Sequence, residues 1–355
     1  MKNRLNKAFL IHKSVYMAGL LLYLTLGSLS AQQPKVKPII ERITLQVKES
    51  DSSDKYISRK GILTRYPQAQ ATVVIAHGFM CNKDDIRFLE QIFNKGRYNT
   101  LIFDFRAHGE DSQGQVCSFG KNEALDVTAA AEFVRNHTDI GHLPVFAYGF
   151  SMGAASTVIA QAQNSKLFDA LILDCPFAST ENTVRRALDL IKISLLGYEF
   201  SLPAKSVVEK YAYNPYVQSV IKYLLKASDH MGNKNIIIHI EPIEPVEALK
   251  KISVPCFFIH CKNDEKISID DAHALYSNAQ GFKRLWLTEG RCHYDSFFYN
   301  PRKYKKRVRN FLNNILDETF KQEPLELVWE DGKKNKSIQK DSSNNNNNQL
   351  IKENS

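Results

Sequence analysis

The sequence predicts an α/β fold, a mostly parallel, doubly wound sheet with helices on both faces. Three observations predict it. Near-continuous apolar runs of strand length recur through the chain, and segments of helical period separate them in strict alternation. The first two strand-like stretches instead alternate apolar and polar residues, as half-buried antiparallel strands do. With 355 residues and 43% apolar content, there is material for a sizeable core.

The chain opens with Lys2, Arg4, Lys7 and Lys13, followed by an uncharged, mostly apolar run from Val15 to Leu29. Ser28 and Ser30 supply small residues where a signal peptidase cuts. Residues 1–31 read as an export signal removed near Ser30 or Ala31, which makes the protein exported, periplasmic or secreted. The alternative is an uncleaved N-terminal membrane anchor, although the run is shorter than the roughly 17 to 25 residues that span a bilayer comfortably.

The folded domain is expected over residues 39–322. "ITLQVK" and "YISRKGILTRY" supply the half-buried strands. "TVVIAHG", "NTLIFDF", "LPVFAYG", "DALILDC", "VPCFFIH" and "KRLWL" are continuous β-branched or aromatic runs, expected as strands covered on both faces. Helices are expected between and after them in "DIRFLEQIFNK", "NEALDVTAAAEFVRNH", "MGAASTVIAQAQ" and "YKKRVRNFLNNIL", the last with Val308, Phe311, Leu312, Ile315 and Leu316 on one face.

Two segments break this rhythm. Residues 177–250 separate two buried strands by far more chain than a crossover needs, and are rich in tyrosine and aliphatic residues. They are expected as a helical lid over the site, with Tyr198, Phe200, Tyr213 and Tyr223 walling an apolar pocket, or alternatively as the aromatic core of a small subdomain. Residues 323–355 end in "SIQKDSSNNNNNQLIKENS", a polar low-complexity composition expected to be disordered.

The formal charge of +9 sits at the ends. Residues 1–13 carry four basic side chains and no acid, and residues 302–355 hold twelve basic against eight acidic, which leaves the body between them almost neutral. Nothing there proposes a nucleic-acid partner. The six cysteines form no Cys-x-x-Cys pair and gather no His or Asp at ligand spacing, so neither a metal nor a cofactor is called for. Cys175, Cys256 and Cys261 border apolar runs and read as buried thiols; Cys81 and Cys117, in expected loops, are left free to pair.

Gly149-x-Ser151-x-Gly153 is a weak signal by itself, and its context carries it. The buried strand "LPVFAYG" ends in glycine, and the following helix opens with small residues. A strand, sharp turn and helix of this kind push a serine out above the sheet edge, at a helix N-terminus where backbone N–H groups favour a developing oxyanion. A nucleophilic serine needs a base and a group to orient it, on loops after strand C-termini. Asp264 follows "VPCFFIH" and His293 follows "KRLWL", in the chain order Ser, Asp, His. His293 would accept the Ser151 proton and Asp264 would hold its imidazole. Asp174, at the end of "DALILDC", is the rival acid; His77 and His108 lie in early turns, and His108 is expected to brace a loop.

With "VVIAHGFM", "LIFDFRAHGEDS", "AYGFSMGAAS", "LILDCPFAS", "EPVEALKKISVPCFFIHCKNDEKI" and "EGRCHYDSF" in hand, the chain from about Ile43 to Leu316 resembles the α/β-hydrolase superfamily. Within it the likeness is to bacterial serine-aminopeptidase-like and esterase-like hydrolases. The resemblance implies the α/β-hydrolase fold, a Ser151–His293–Asp264 triad, and oxyanion donors at the backbone N–H groups of Phe79 and Met152. It also implies that Asp104, Arg106, His108 and Gly109 form a structural loop. The expected activity is hydrolysis of a small-molecule ester, or of an amide, through an acyl-enzyme. Peptidase, thioesterase and acyltransferase activity on the same triad are the alternatives, with Glu241, Glu244 and Glu247 as candidate holders of a substrate amine. A non-catalytic binding protein on the same fold is the alternative from another class.

Overall fold

Strand β3 (Ala71–Ala76) is buried at all six positions, and its side chains divide by parity: Val73 and Ile75 join one apolar cluster, Val74 and Ala76 another. The period of two along a strand makes one continuous apolar run serve two faces. The computed structural model, which describes residues 37–93, 96–190, 192–195, 198–201 and 236–332, builds a nine-stranded sheet on this principle. Its strands are β1 (Ile39–Lys48), β2 (Tyr56–Arg65), β3, β4 (Tyr98–Phe103), β5 (Val145–Phe150), β6 (Ala170–Asp174), β7 (Cys256–Cys261), β8 (Lys283–Thr288) and β9 (Glu326–Glu330), in the spatial order β1-β2-β4-β3-β5-β6-β7-β8-β9. Strands β1 and β2 pair antiparallel, with Ile43 opposite Gly61, and β2 runs antiparallel to β4; every other pairing is parallel. This is the mostly parallel α/β-hydrolase architecture the sequence predicts.

Helices cover both faces. α2 (Glu123–Arg135), α3 (Met152–Gln163) and α6 (Ile269–Asn278) contribute Val127, Ala154, Val158 and Leu275 to the cluster of Val74. α1 (Glu90–Phe93), α7 (Asp295–Tyr299) and α8 (Pro301–Leu316) contribute Phe93, Phe297, Val308, Phe311 and Leu312 to the cluster of Val73. The helix expected over 85–95 is a 3-10 turn, Arg87–Leu89, leading into the single turn of α1. Helix α6 was not anticipated; its N-terminus is set by Ser268, whose hydroxyl accepts from the Asp270 amide.

Of the insertion, residues 177–190, 192–195, 198–201 and 236–250 are described, and the expected helical lid falls largely outside them. After α4 (Thr180–Leu190) come two short antiparallel strands, 192–195 and 198–201, and Ile237–Ile238 pairs in parallel with Val116–Cys117 before α5 (Pro245–Ala248). Tyr213 and Tyr223, and the side chains of Tyr198 and Phe200, lie outside the described residues.

The expected disordered tail begins too early. Glu326–Glu330 forms β9 against β8, with Trp329 edge-on to Phe257 at 5.7 Å. Its five residues are all half-buried, and three apolar residues between charged neighbours make a sheet edge rather than a buried run. Residues 333–355 lie outside the described residues, as does the expected signal or anchor over 1–31. Among the described residues, no helix is long and apolar enough to cross a membrane. The possible pairing of Cys81 with Cys117 is corrected: no disulfide joins them, and Cys117 is buried with its Sγ 3.7 Å from Met152 Sδ.

Candidate active site

Ser151 stands between β5 and α3 at φ 51° and ψ −116°, a conformation that costs on the order of 1 to 3 kcal/mol for a residue with a Cβ. Its amide donates to the Asp174 carbonyl at 2.8 Å, so the turn is tied to the next strand. The motif glycines are needed for space. A Cβ on Gly149 would come within 2.5 Å of Ala154 Cα, and one on Gly153 within 2.3 Å of the Ala76 carbonyl oxygen.

The loops after β7 and β8 bring Asp264 and His293 to this serine. His293 Nε2 lies 2.9 Å from Ser151 Oγ, and His293 Nδ1 lies 2.5 Å from Asp264 Oδ2. The other Asp264 oxygen accepts the Lys266 and Ile267 amides, each at 2.9 Å. Burial would raise the Asp264 carboxyl; the hydrogen bond from His293 and its charge, with the Ile267 amide, outweigh burial and hold it below the ordinary carboxylate value. All three side chains are buried, Ser151 being 8% exposed. Hydroxyl, imidazole and carboxylate in this sequence form a path by which a proton can leave Oγ while the ring charge is compensated.

The rival acid is engaged elsewhere. Asp174 Oδ2 accepts from Tyr304 at 2.6 Å and Tyr148 at 3.1 Å, and Oδ1 accepts from the Cys175 thiol at 3.4 Å. Burial pushes its carboxyl up to about 6, against the pull of those three donors. The Cys175 thiol also reaches the His293 carbonyl at 3.3 Å, a brace that no sequence signal pointed to. Cys175, Asp264 and His293 offer ligand atoms within 4.8 Å of one another, but the set does not fit a metal. Asp264 and the Nδ1 side of His293 hold each other, and burial keeps the thiol protonated.

The loop after β3 faces the serine: Gly78 packs so closely that a Cβ there would meet the Phe150 ring at 2.9 Å and Ser151 Cβ at 3.5 Å. Two histidines fix its path. His77 Nε2 accepts the Phe105 amide at 3.0 Å and its Nδ1–H donates to the Gly78 carbonyl at 2.7 Å. His108 Nε2 accepts the Met80 amide at 3.1 Å, and its Nδ1–H donates to the Arg106 carbonyl at 2.8 Å. Burial lowers His77 to about 3 and His108 to about 4, so both stay neutral near pH 7 in the tautomer this bonding needs. Met80 sits at φ 64°, which turns the chain sharply after Phe79. Among the described residues, neither the Phe79 nor the Met152 amide has an acceptor.

The loop expected to be structural is so. Buried Asp104 accepts from the Lys83 amide, the Lys83 ammonium and the Glu110 amide, and Arg106 pairs with Asp126 at 2.8 Å. Gly109 has no room for a side chain, since a Cβ would lie 2.2 Å from Asp104 Cγ. Apolar walls that the sequence reading missed adjoin it: Phe119 lies 5.3 Å from Phe79 and stacks on Phe177 at 5.4 Å, and Phe177 packs with Ile243 and Ile267.

Residues 67–294 match the family described as serine aminopeptidase, S33, a span that includes β3 through His293. The chain belongs to this family of α/β hydrolases. Similar curated proteins include the uncharacterized protein YqkD of Bacillus subtilis (strain 168), 28% identical over 250 residues covering 70% of this chain and 73% of the relative. The monoglyceride lipase homolog of monkeypox virus is 28% identical over 248 residues, 64% of this chain and 83% of that protein. Among solved structures, the Pyrococcus furiosus esterase Pf2001 superposes with a TM-score of 0.56 at 20% identity, over 78% of this chain and 93% of that one, a likeness of fold. This S33-family protein is a serine hydrolase by superfamily and a hydrolase by activity.

Proposed function

We propose that this hydrolase cleaves a carboxylic ester through an acyl-enzyme, with Ser151 as nucleophile, His293 as general base and acid, and Asp264 as the group that orients and stabilises the imidazolium. The contact that carries the reading is Ser151 Oγ to His293 Nε2 at 2.9 Å, backed by His293 Nδ1 to Asp264 at 2.5 Å. Oγ attacks the ester carbonyl carbon as its proton passes to Nε2, and the carbonyl electron pair moves to oxygen. The Phe79 and Met152 amides, which have no other acceptor among the described residues, receive that oxyanion. Collapse expels the alcohol, which takes the proton from Nε2; water then repeats the sequence and frees the acid.

The half-buried rings of Phe79 and Phe119, backed by the buried Phe177 and Ile243, favour an apolar acyl or alkyl group. Two of the three residues available to hold a peptide amine are already used, since Glu241 binds Lys121 at 2.5 Å and Glu247 binds Lys250 at 2.7 Å, and the third, Glu244, is exposed. Export or tethering through residues 1–31, a lid over the site and the absence of a nucleic-acid partner complete the proposal. A fluorophosphonate probe tests the chemistry: the wild type should be labelled and Ser151→Ala should not. Equal labelling of both would end the assignment.

A further inference from the structure

Helix α8 carries Arg302, Lys303, Lys305, Lys306, Arg307 and Arg309 and no acid from Pro301 to Leu316. These cations crowd its first half, where the helix dipole disfavours positive charge, so helix stability gives no reason for them. Most are occupied. Lys303 pairs with Asp331, Lys305 donates to Gln91 at 2.6 Å, and Arg309 donates to the Gln91 and Ile92 carbonyls. The nearby acids are occupied as well: Glu323 by Arg284, Glu326 by Lys283 and Glu330 by Lys262. Like exposed Arg302, which does not line the cavity described next, Lys306 and Arg307 are left with no side-chain ion pair or hydrogen bond among the described residues.

Both line a cavity of about 370 Å³ between α8 and the β8–β9 edge, shared with Arg284, Asn310, Phe282 and Trp329. The Arg307 guanidinium carbon lies 4.4 Å from the Trp329 ring centroid and 4.8 Å from that of Trp286. The rings fix the position of the guanidinium without using its N–H donors. None of these residues belongs to the site described above.

We propose that this groove binds a phosphate-bearing ligand, with Arg307 and Lys306 contacting the phosphate and half-buried Trp329 beside the group it is attached to. A guanidinium fork matches phosphate oxygens in pairs, and two cations without an ion pair of their own suit the roughly −1.5 to −2 charge of a phosphate monoester at neutral pH, although Asp331, paired with Lys303, also acts on Arg307. A soluble phosphate ester and a phospholipid headgroup present the same chemistry.

The chain supplies its own reporter, because both of its tryptophans, Trp286 and Trp329, touch Arg307. Glycerol 3-phosphate at constant ionic strength should change the tryptophan emission saturably, and added sodium chloride should not. Lys306→Gln with Arg307→Gln should weaken the response at least tenfold while hydrolysis of a short p-nitrophenyl ester is unchanged. Vesicles of phosphatidylglycerol in phosphatidylcholine, against phosphatidylcholine alone, separate the sources: a response to anionic vesicles without one to glycerol 3-phosphate assigns a headgroup, the reverse a soluble ester. No saturable response to either probe, or one that the double variant keeps, overturns the proposal. If the Arg307 variant does not fold, exposed Lys306→Glu alone must show the same loss.

Discussion

Replacing Asp264 with asparagine changes one atom and tests how the imidazole is held. Asp264 Oδ1 accepts two backbone amides, from Lys266 and Ile267, at 2.9 Å each. An NH2 group could not occupy that position against two donors, so the asparagine carbonyl oxygen must take it and the NH2 must face His293 Nδ1. Nδ1 then has to be bare, the ring proton moves to Nε2, and Nε2 can no longer accept from Ser151 Oγ. The expected loss is about 10⁴ in kcat, or about 5.4 kcal/mol of barrier, with the fold intact. Steady-state hydrolysis of a short p-nitrophenyl ester measures the loss, a thermal melt checks the fold, and ¹⁵N NMR of the imidazole reads the tautomer. A variant that keeps a tenth of wild-type activity would refute the reasoning. So would an active Asp264→Asn beside an inactive Asp174→Asn.

Ser151→Ala and His293→Ala should each lower kcat by up to about 10⁶, and the double variant should be little worse, since the groups act as one unit; additive losses in the same ester assay would contradict this. His108→Ala leaves the half-buried Met80 amide unpaired and frees the loop that carries the Phe79 N–H, so kcat should fall by about 10² with little change in KM. In an NMR titration the ring signals of His77, His108 and His260, lowered by burial to about 3, 4 and 4, should stay neutral from pH 8 to 5. Each unfolded ring binds a proton near 6.5, so each withdraws stability as pH falls from that value towards its folded one; titration near 6.5 in the native protein would overturn this. Ending the chain at Glu323 removes β9, and Trp329→Ala alone should cost roughly 2 to 3 kcal/mol in a denaturant melt. A truncated protein as stable as the full chain would restore the reading of that segment as a dispensable tail.

How far the sequence reaches follows from the range of the interactions involved. Periods of 2 and 3.6 and the punctuation by glycine are local, so the parallel strands, α2, α3 and α8 and the turn at Ser151 were legible without coordinates. Chain order and position after a strand end were enough to choose Asp264 and His293, because a parallel sheet delivers such loops to one edge. A short edge strand carries a weak local signal, and β9 became a strand only because the β8 edge was there to receive it. The demotion of Asp174 depended on Tyr148 and Tyr304, the latter 130 residues away in sequence. Cys117 looked like a loop thiol until strand pairing buried it. The Cys175 brace, the two histidines behind the Phe79 loop and the unpaired cations on α8 are likewise relations between distant segments. Local preference fixes what a segment can become; which polar groups find partners, and which are left without one, is decided only when the chain is packed.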